Sequence, residues 1–323
     1  MARRLWLAFI ATALTMGAFA HAAAQTYPSQ PIKMIVPFGP GGTSDIVGRA
    51  IGHKLGELIG QPVVIDNRPG GGTMIGTEAL AKSAPDGYTI MLVTPDLTIN
   101  PSLQPKIPYD TLRDFAPIAM IASYPMVLVA NPALPVKSAR ELVELAKAKP
   151  GSINYASAGN GSMPHLSAEL MKSLTGTNIV HVPYKGNGPA INDLLGGRVQ
   201  LLFSGMPPVA AHVKSGKLVA LASTGKVRMT SEPSLPTLQE SGVPGYEVTA
   251  WYGLIAPAGT PKPIIDRLNT EIAKAMQSPE VRERLASLGA DLGASTPAEY
   301  DALLKSEIAK WGKLIKDAGI RLD

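Results

Sequence analysis

Residues 35–45 read Ile35-Val36-Pro37-Phe38-Gly39-Pro40-Gly41-Gly42-Thr43-Ser44-Asp45. The segment leading into them, residues 32–38, is short and mostly apolar, as a buried strand is. Beyond the glycines, Ile46, Val47, Ala50, Ile51, Leu55 and Leu58 recur at helical spacing. Strand, glycine turn and helix in this order make a βα unit. Repeated along a chain, such units predict an α/β fold whose mainly parallel sheets are flanked by helices.

The pattern does repeat. Residues 63–66 lead through Arg68-Pro69-Gly70-Gly71-Gly72 into a helix over 74–81, and a third strand over 88–94 follows the turn Pro85-Asp86-Gly87. A fresh series opens at 126–130. It continues with a helix over 138–149, a strand over 153–156, a helix after Pro164, a strand over 179–182, a helix over 189–195 and strands over 199–203 and 218–222. That is a second sheet. Residues 228–246, with Pro233, Pro236, Pro244 and Gly245, read as irregular, and the aromatic-rich strand 247–256 is expected to cross back. At the carboxyl end Thr260-Pro261 opens a helix, and Thr296-x-x-Glu299 is a capping box opening another that stops at Gly319. The expected division is a domain of 25–124 plus 249–323 and a domain of 125–248, hinged near Tyr124-Pro125 and Thr249-Ala250.

Composition agrees with two domains. A chain of 323 residues, 45% hydrophobic and 17% charged, suits two cores of ~150 residues each and excludes a disordered chain. With no cysteine, disulfides, thiolate metal sites and cysteine nucleophiles are excluded. Arg3 and Arg4 precede an apolar stretch over 5–20, and Ala22 and Ala24 fit an A-x-A cleavage site. Residues 1–24 therefore read as a secretory signal peptide and the mature protein as exported. The net charge of +5 is small and dispersed, so no nucleic-acid partner is expected.

The glycines of the first loop let backbone N–H groups face a ligand at a helix start, where the dipole favours an anion such as a carboxylate or phosphate. On spacing alone the same loop is also a plain glycine turn capped by Thr43 or Ser44. It is neither G-x-G-x-x-G nor a P-loop. Gly48, Gly52 and Gly56 on the following helix point to close packing. A second loop, Ser157-Ala158-Gly159-Asn160-Gly161-Ser162-Met163-Pro164-His165, repeats the arrangement in the other domain. His165 in the first turn of its helix is expected to be neutral, as a ligand donor or as a structural histidine. Pro183-Tyr184-Lys185-Gly186-Asn187-Gly188 makes a third loop. No G-x-S-x-G or H-E-x-x-H occurs, and Ser223-Thr224-Gly225-Lys226 lacks the companions of an S-x-x-K enzyme. Catalytic residues, cofactors and metals are therefore not expected.

The run 35–45 with Arg49 resembles the amino-terminal signature of the substrate-binding proteins of tripartite tricarboxylate transporters, the Bug family. Asn67-Arg68-Pro69-Gly70-Gly71-Gly72, Pro85-Asp86-Gly87-Tyr88-Thr89, His181-Val182-Pro183-Tyr184-Lys185-Gly186, Leu235-Pro236-Thr237-Leu238 and Trp251-Tyr252-Gly253-Leu254 resemble it in the same order. The resemblance implies a two-lobed periplasmic Venus flytrap that closes on a small organic carboxylate and delivers it, as a monomer, to two membrane transporter subunits. It implies that Phe38 walls the pocket and that Gly41, Gly42, Thr43, Ser44 and Asp45 supply amides and hydroxyls from one lobe. Ala158, Gly159, Asn160, Gly161, Ser162 and His165 would do so from the other, with Tyr184, Gly186, Thr94 and Ser204 completing the set. Amino-acid-binding relatives tend to carry an aspartate where this chain has Ser204, and a neutral hydroxyl does not hold an ammonium group. Two other roles compatible with such a cleft are a sensor subunit docking on a receptor kinase and a periplasmic enzyme.

Overall fold

The structure, a computed structural model, describes residues 27–41, 43–184, 186–286 and 290–321. The expected signal peptide, Gly42 and Lys185 lie outside the described residues.

The chain begins with β1 (Ile32–Val36), α1 (Thr43–Ile59), β2 (Val63–Asn67), α2 (Met74–Ala81), β3 (Thr89–Val93), α3 (Asp96–Leu103) and β4 (Phe115–Pro125). It then builds β5 (Val127–Ala130), α4 (Ala139–Ala148), β6 (Asn154–Ser157), α5 (Met163–Thr175) and β7 (Val180–Pro183), followed by α6 (Asn187–Leu195), β8 (Leu201–Ser204), α7 (Met206–Lys214) and β9 (Val219–Ser223). The last part holds β10 (Thr249–Pro257), α8 (Lys262–Gln277), α9 (Pro279–Ala286), β11 (Asp291–Leu292) and α10 (Pro297–Asp317).

Two sheets result, β11-β4-β10-β3-β1-β2 and β7-β6-β8-β5-β9. In the first, β1 to β4 point one way and β10 and β11 the other; in the second, β6 to β9 share a direction that β5 opposes. The parallel majority is what repeated βα units produce. The reversed β10 is the returning strand, since a chain that leaves a sheet along β4 and comes back beside it runs antiparallel to it. Their pairing puts Thr249 opposite Pro125 and Ala250 opposite Tyr124, where the two sheets join.

Each sheet buries both faces. Ile32, Met34 and Val36 pack under Val47, Ile51 and Leu55 of α1. Ile35, on the alternate side of the same strand, meets Tyr300 and Leu304 of α10. In the second sheet Leu128, Tyr155 and Phe203 face one way, and Val127, Ala156 and Leu202 the other. α10 spans both lobes: Trp311, Leu314 and Ile315 at its far end sit in the core beneath the second sheet. The glycines of α1 explain its close seat. A Cβ at Gly48 would lie 2.8 Å from Val36 Cγ2, at Gly52 3.1 Å from Ile65 Cδ1, and at Gly56 3.1 Å from the Gln61 carbonyl oxygen. Among the described residues no helix is long and apolar enough to cross a membrane.

Candidate functional site

In open α/β sheets ligands bind beyond the carboxyl ends of the parallel strands. Here the ends of β1, β3, β6 and β8 face one another across the junction of the sheets. Phe38, Thr94, Ala158 and Gly205, just past those ends, line a cavity of about 340 Å³ together with Tyr124 of β4 and Tyr252 of β10. A space of about 190 Å³ shares Tyr124, Tyr252 and Gly205 and adds Thr43 and Pro208. A larger groove of about 650 Å³, lined by Arg49, His53, Glu280 and Glu283, is built from α1 and α9 alone and involves neither glycine loop of the second lobe.

The first loop is tied into a polar knot. The Asp45 carboxylate accepts hydrogen bonds from the Gly41 amide (2.8 Å), Arg49 Nε (2.9 Å) and Asn67 Nδ2 (2.9 Å). Asn67 Nδ2 also donates to the Phe38 carbonyl at 3.0 Å. Arg49 foremost, with Gly41 and Asn67, holds the carboxyl down at about 2 against the opposing effect of burial. Asp45 thus faces its own loop, while its neighbour Ser44 lines the cavity.

The second loop is braced in a similar way by neutral groups. The Gly161 amide donates to His165 Nδ1 at 3.0 Å, the Gly159 amide to Ser157 Oγ at 3.1 Å, and the Gly186 amide to the Ala158 carbonyl at 3.2 Å. The Ser162 hydroxyl donates to the Gly159 carbonyl. His165 stacks on His181 with ring centres 3.9 Å apart and planes 6° apart. Burial, then the adjacent His181, brings its imidazole down to about 4. It is therefore neutral at neutral pH, with Nδ1 the acceptor and the proton on Nε2. The expected neutrality is present, with desolvation as its main cause.

Of the residues expected to surround a ligand, Phe38, Ser44, Thr94 and Ala158 line the larger cavity and Thr43 the smaller. Gly41, Asp45, Gly159, Asn160, Gly161, Ser162, His165, Tyr184, Gly186 and Ser204 line neither. Tyr184 donates its phenol to Asp193 at 2.7 Å, and Ser204 is fully buried at the end of β8 with no partner for its hydroxyl among the described residues. The amides of Gly41, Gly159, Gly161 and Gly186 are engaged within their own lobes. Donors remain in the first turns of the helices that start at the cavity, since a helix leaves its first four N–H groups without intrahelical partners. Ser44 of α1 and Asp96 of α3 from one lobe, and Met163 of α5 and Asn187 of α6 from the other, bring such starts to the cavity.

The other residues that line this cavity were not among the expected site residues, and the polar ones include Tyr124, Tyr252, Asp96 and Asn187. Tyr124 and Tyr252 line it side by side, with ring centres 5.6 Å apart. Burial raises the pKa of both, which keeps them protonated. Asp96, at the start of α3, takes a hydrogen bond from the Thr94 hydroxyl, and burial pushes its carboxyl up. The signal for Asp96 was its place two residues past Thr94, at the carboxyl end of a parallel strand. Tyr124 and Tyr252 lay at the expected hinge itself. Among the described residues no three His, Asp or Glu side chains converge to hold a metal ion.

The model of the tripartite tricarboxylate transporter family receptor, TctC, matches residues 47–320. Protein BugT of Bordetella pertussis is 43% identical over 316 residues, covering 97% of this chain and 96% of that protein. Among solved structures, R. palustris Rpa4515 with adipate is 38% identical with a TM-score of 0.78, covering 92% of this chain and 100% of that one. MatC (Rpa3494) from Rhodopseudomonas palustris with bound malate is 32% identical with a TM-score of 0.73, over 90% of this chain and 100% of that one. The periplasmic binding protein BugD is 36% identical with a TM-score of 0.74, over 92% and 100%.

Proposed function

The chain belongs to the tripartite tricarboxylate transporter receptor family, and from that premise we propose that it captures a small organic carboxylate in the cavity between its lobes for delivery to the membrane subunits of such a transporter. It works in the periplasm, as a monomer, after removal of residues 1–24. Relatives were solved with adipate and with malate, both carboxylates of a size suited to a cavity of about 340 Å³.

The observation that carries the reading is that helix starts from both lobes, those of α1 and α5 among them, border the same cavity. A carboxylate there meets N–H groups at the positive end of both dipoles. The glycine loops act one step further out: their internal hydrogen bonds fix where those helix starts point. The lobes, 25–124 with 249–323 and 125–248, close about the paired strands β4 and β10 and exclude water from the ligand. Each charge-assisted hydrogen bond then contributes roughly 1.5–3 kcal/mol, so a few of them hold a small acid in the micromolar range.

The test is thermal unfolding of the refolded, ligand-stripped protein against mono-, di- and tricarboxylates, amino acids and nicotinate-like acids. Ligand at ~1,000 times its dissociation constant stabilises the native state by about 4 kcal/mol, which is several degrees for a chain of this size. Stabilisation by one class of acid is expected. A non-acidic small molecule found by mass spectrometry in the purified protein, together with no response to any acid, would refute the carboxylate reading.

A further inference from the structure

The cavity that receives an acid is itself lined by an acid. Among the described residues Asp96 is the single formally charged side chain on its wall, and no lysine, arginine or histidine shares that wall. Phe38, Met126, Met163, Ala158 and Ala250 make much of the rest, an apolar lining in which water screens charge poorly. Asp96 accepts from the Thr94 hydroxyl and is close enough to Tyr124 and Tyr252 to act electrostatically on their phenols. A carboxylate has about four lone-pair sites, and the Thr94 hydroxyl together with the residue's own backbone N–H fill only part of them.

Resting on the reading that this cleft binds a carboxylate, we propose that Asp96 sets the class of ligand: an acid that carries a hydroxyl or ammonium donor on the part of the molecule reaching Asp96. The ligand's carboxylate lies at the helix starts of α1 and α5, and its donor completes the acceptor sites of Asp96. Burial already pushes the Asp96 carboxyl up, so a second carboxylate at that end adds to the cost of its charge and is disfavoured, whereas a hydroxyl or ammonium group donates a hydrogen bond that offsets the burial. The absence of an aspartate at position 204 therefore does not exclude an ammonium group, because the other lobe supplies a carboxylate.

Calorimetric titration of the stripped wild-type protein tests this directly. The probes are three- to six-carbon acids bearing a hydroxyl or amino group two, three or four carbons from the carboxylate, their unsubstituted parents, and the dicarboxylates of equal length. At least one donor-bearing acid is expected to bind ten-fold or more tightly than its parent and than the matching dicarboxylate. In Asp96→Asn, a near-isosteric change, that preference should shrink to three-fold or less, with dicarboxylates binding more tightly than to wild type. Parents or dicarboxylates that bind as well as every donor-bearing acid overturn the role of Asp96 while leaving the carboxylate reading intact; the wild-type comparison alone decides this, even if the variant is unstable. A preference unchanged in Asp96→Asn also overturns it. If no acid binds wild type at all, the carboxylate reading fails and this one with it.

Discussion

Acidification will weaken this protein through one buried imidazole. His165 is 6% exposed, receives the Gly161 amide on Nδ1, and titrates at about 4, whereas in the unfolded chain a histidine titrates near 6.5. Between those two values the unfolded state takes up a proton that the folded state refuses, so stability falls as pH falls. Above pH 6.5 both states are neutral, and below about 4 both are charged, so the loss is confined to that window. One group contributes at most about 1.4 kcal/mol per pH unit, which amounts to ~2.5 kcal/mol by pH 4.5. Asp45 does not confuse the measurement: with its carboxyl held at about 2, its own contribution is lost only as pH drops below ~3.8. Urea unfolding followed by tryptophan fluorescence at intervals from pH 7.5 to 4.5 reads the slope. His165→Gln keeps an acceptor for the Gly161 amide but cannot take a proton, and its curve should be flatter by about the amount stated. Parallel curves for the two proteins over pH 6.5–4.5 would show that His165 is not the responsible group.

Two further substitutions probe packing. Gly161 has φ +73°, and a Cβ there would collide with Leu103 Cδ2 in α3; Gly161→Ala should cost ~1–3 kcal/mol, with at least ~0.5 kcal/mol recovered in a Leu103→Ala background by urea titration. Additivity of the two changes would refute the contact. A Cβ at Gly253 would collide with the phenol oxygen and Cζ of Tyr300, a fully buried ring, so Gly253→Ala should cost ~3 kcal/mol and show as a lower thermal midpoint; an unchanged midpoint would contradict that packing.

What the sequence made legible was local. The alternation of apolar runs with glycine turns located β1, β2 and β6 with the helices that follow them, and the Thr296/Glu299 capping box exists with both of its hydrogen bonds, 2.8 and 3.2 Å. Elements carrying proline were harder to read. β4 contains Pro117 and Pro125 and α3 contains Pro101, residues that normally interrupt strands and helices. Missing those two elements meant missing Asp96 and the role of Tyr124. The loops were recognised as a place, but spacing does not tell which way a backbone N–H turns. Gly41 and Gly161 spend theirs on Asp45 and His165, side chains four residues on in each case. Nor does it reveal that the rings of residues 124 and 252, more than a hundred positions apart, lie side by side at the cavity.

The way the lobes are interleaved also orders events in time. β10 occupies the middle of the first sheet, between β3 and β4, yet it is made after the whole second lobe. The second lobe in turn lacks Trp311, Leu314 and Ile315 until almost the last residues appear. A nascent chain therefore presents two unfinished sheets, neither able to close, for the roughly 10–40 s that synthesis takes between residue 125 and residue 315 at bacterial-to-eukaryotic speeds. Contacts this distant in sequence also form slowly once they are available. The topology gives the polypeptide a built-in delay during which it is still an open chain, the state in which a secretion apparatus or a chaperone can engage it.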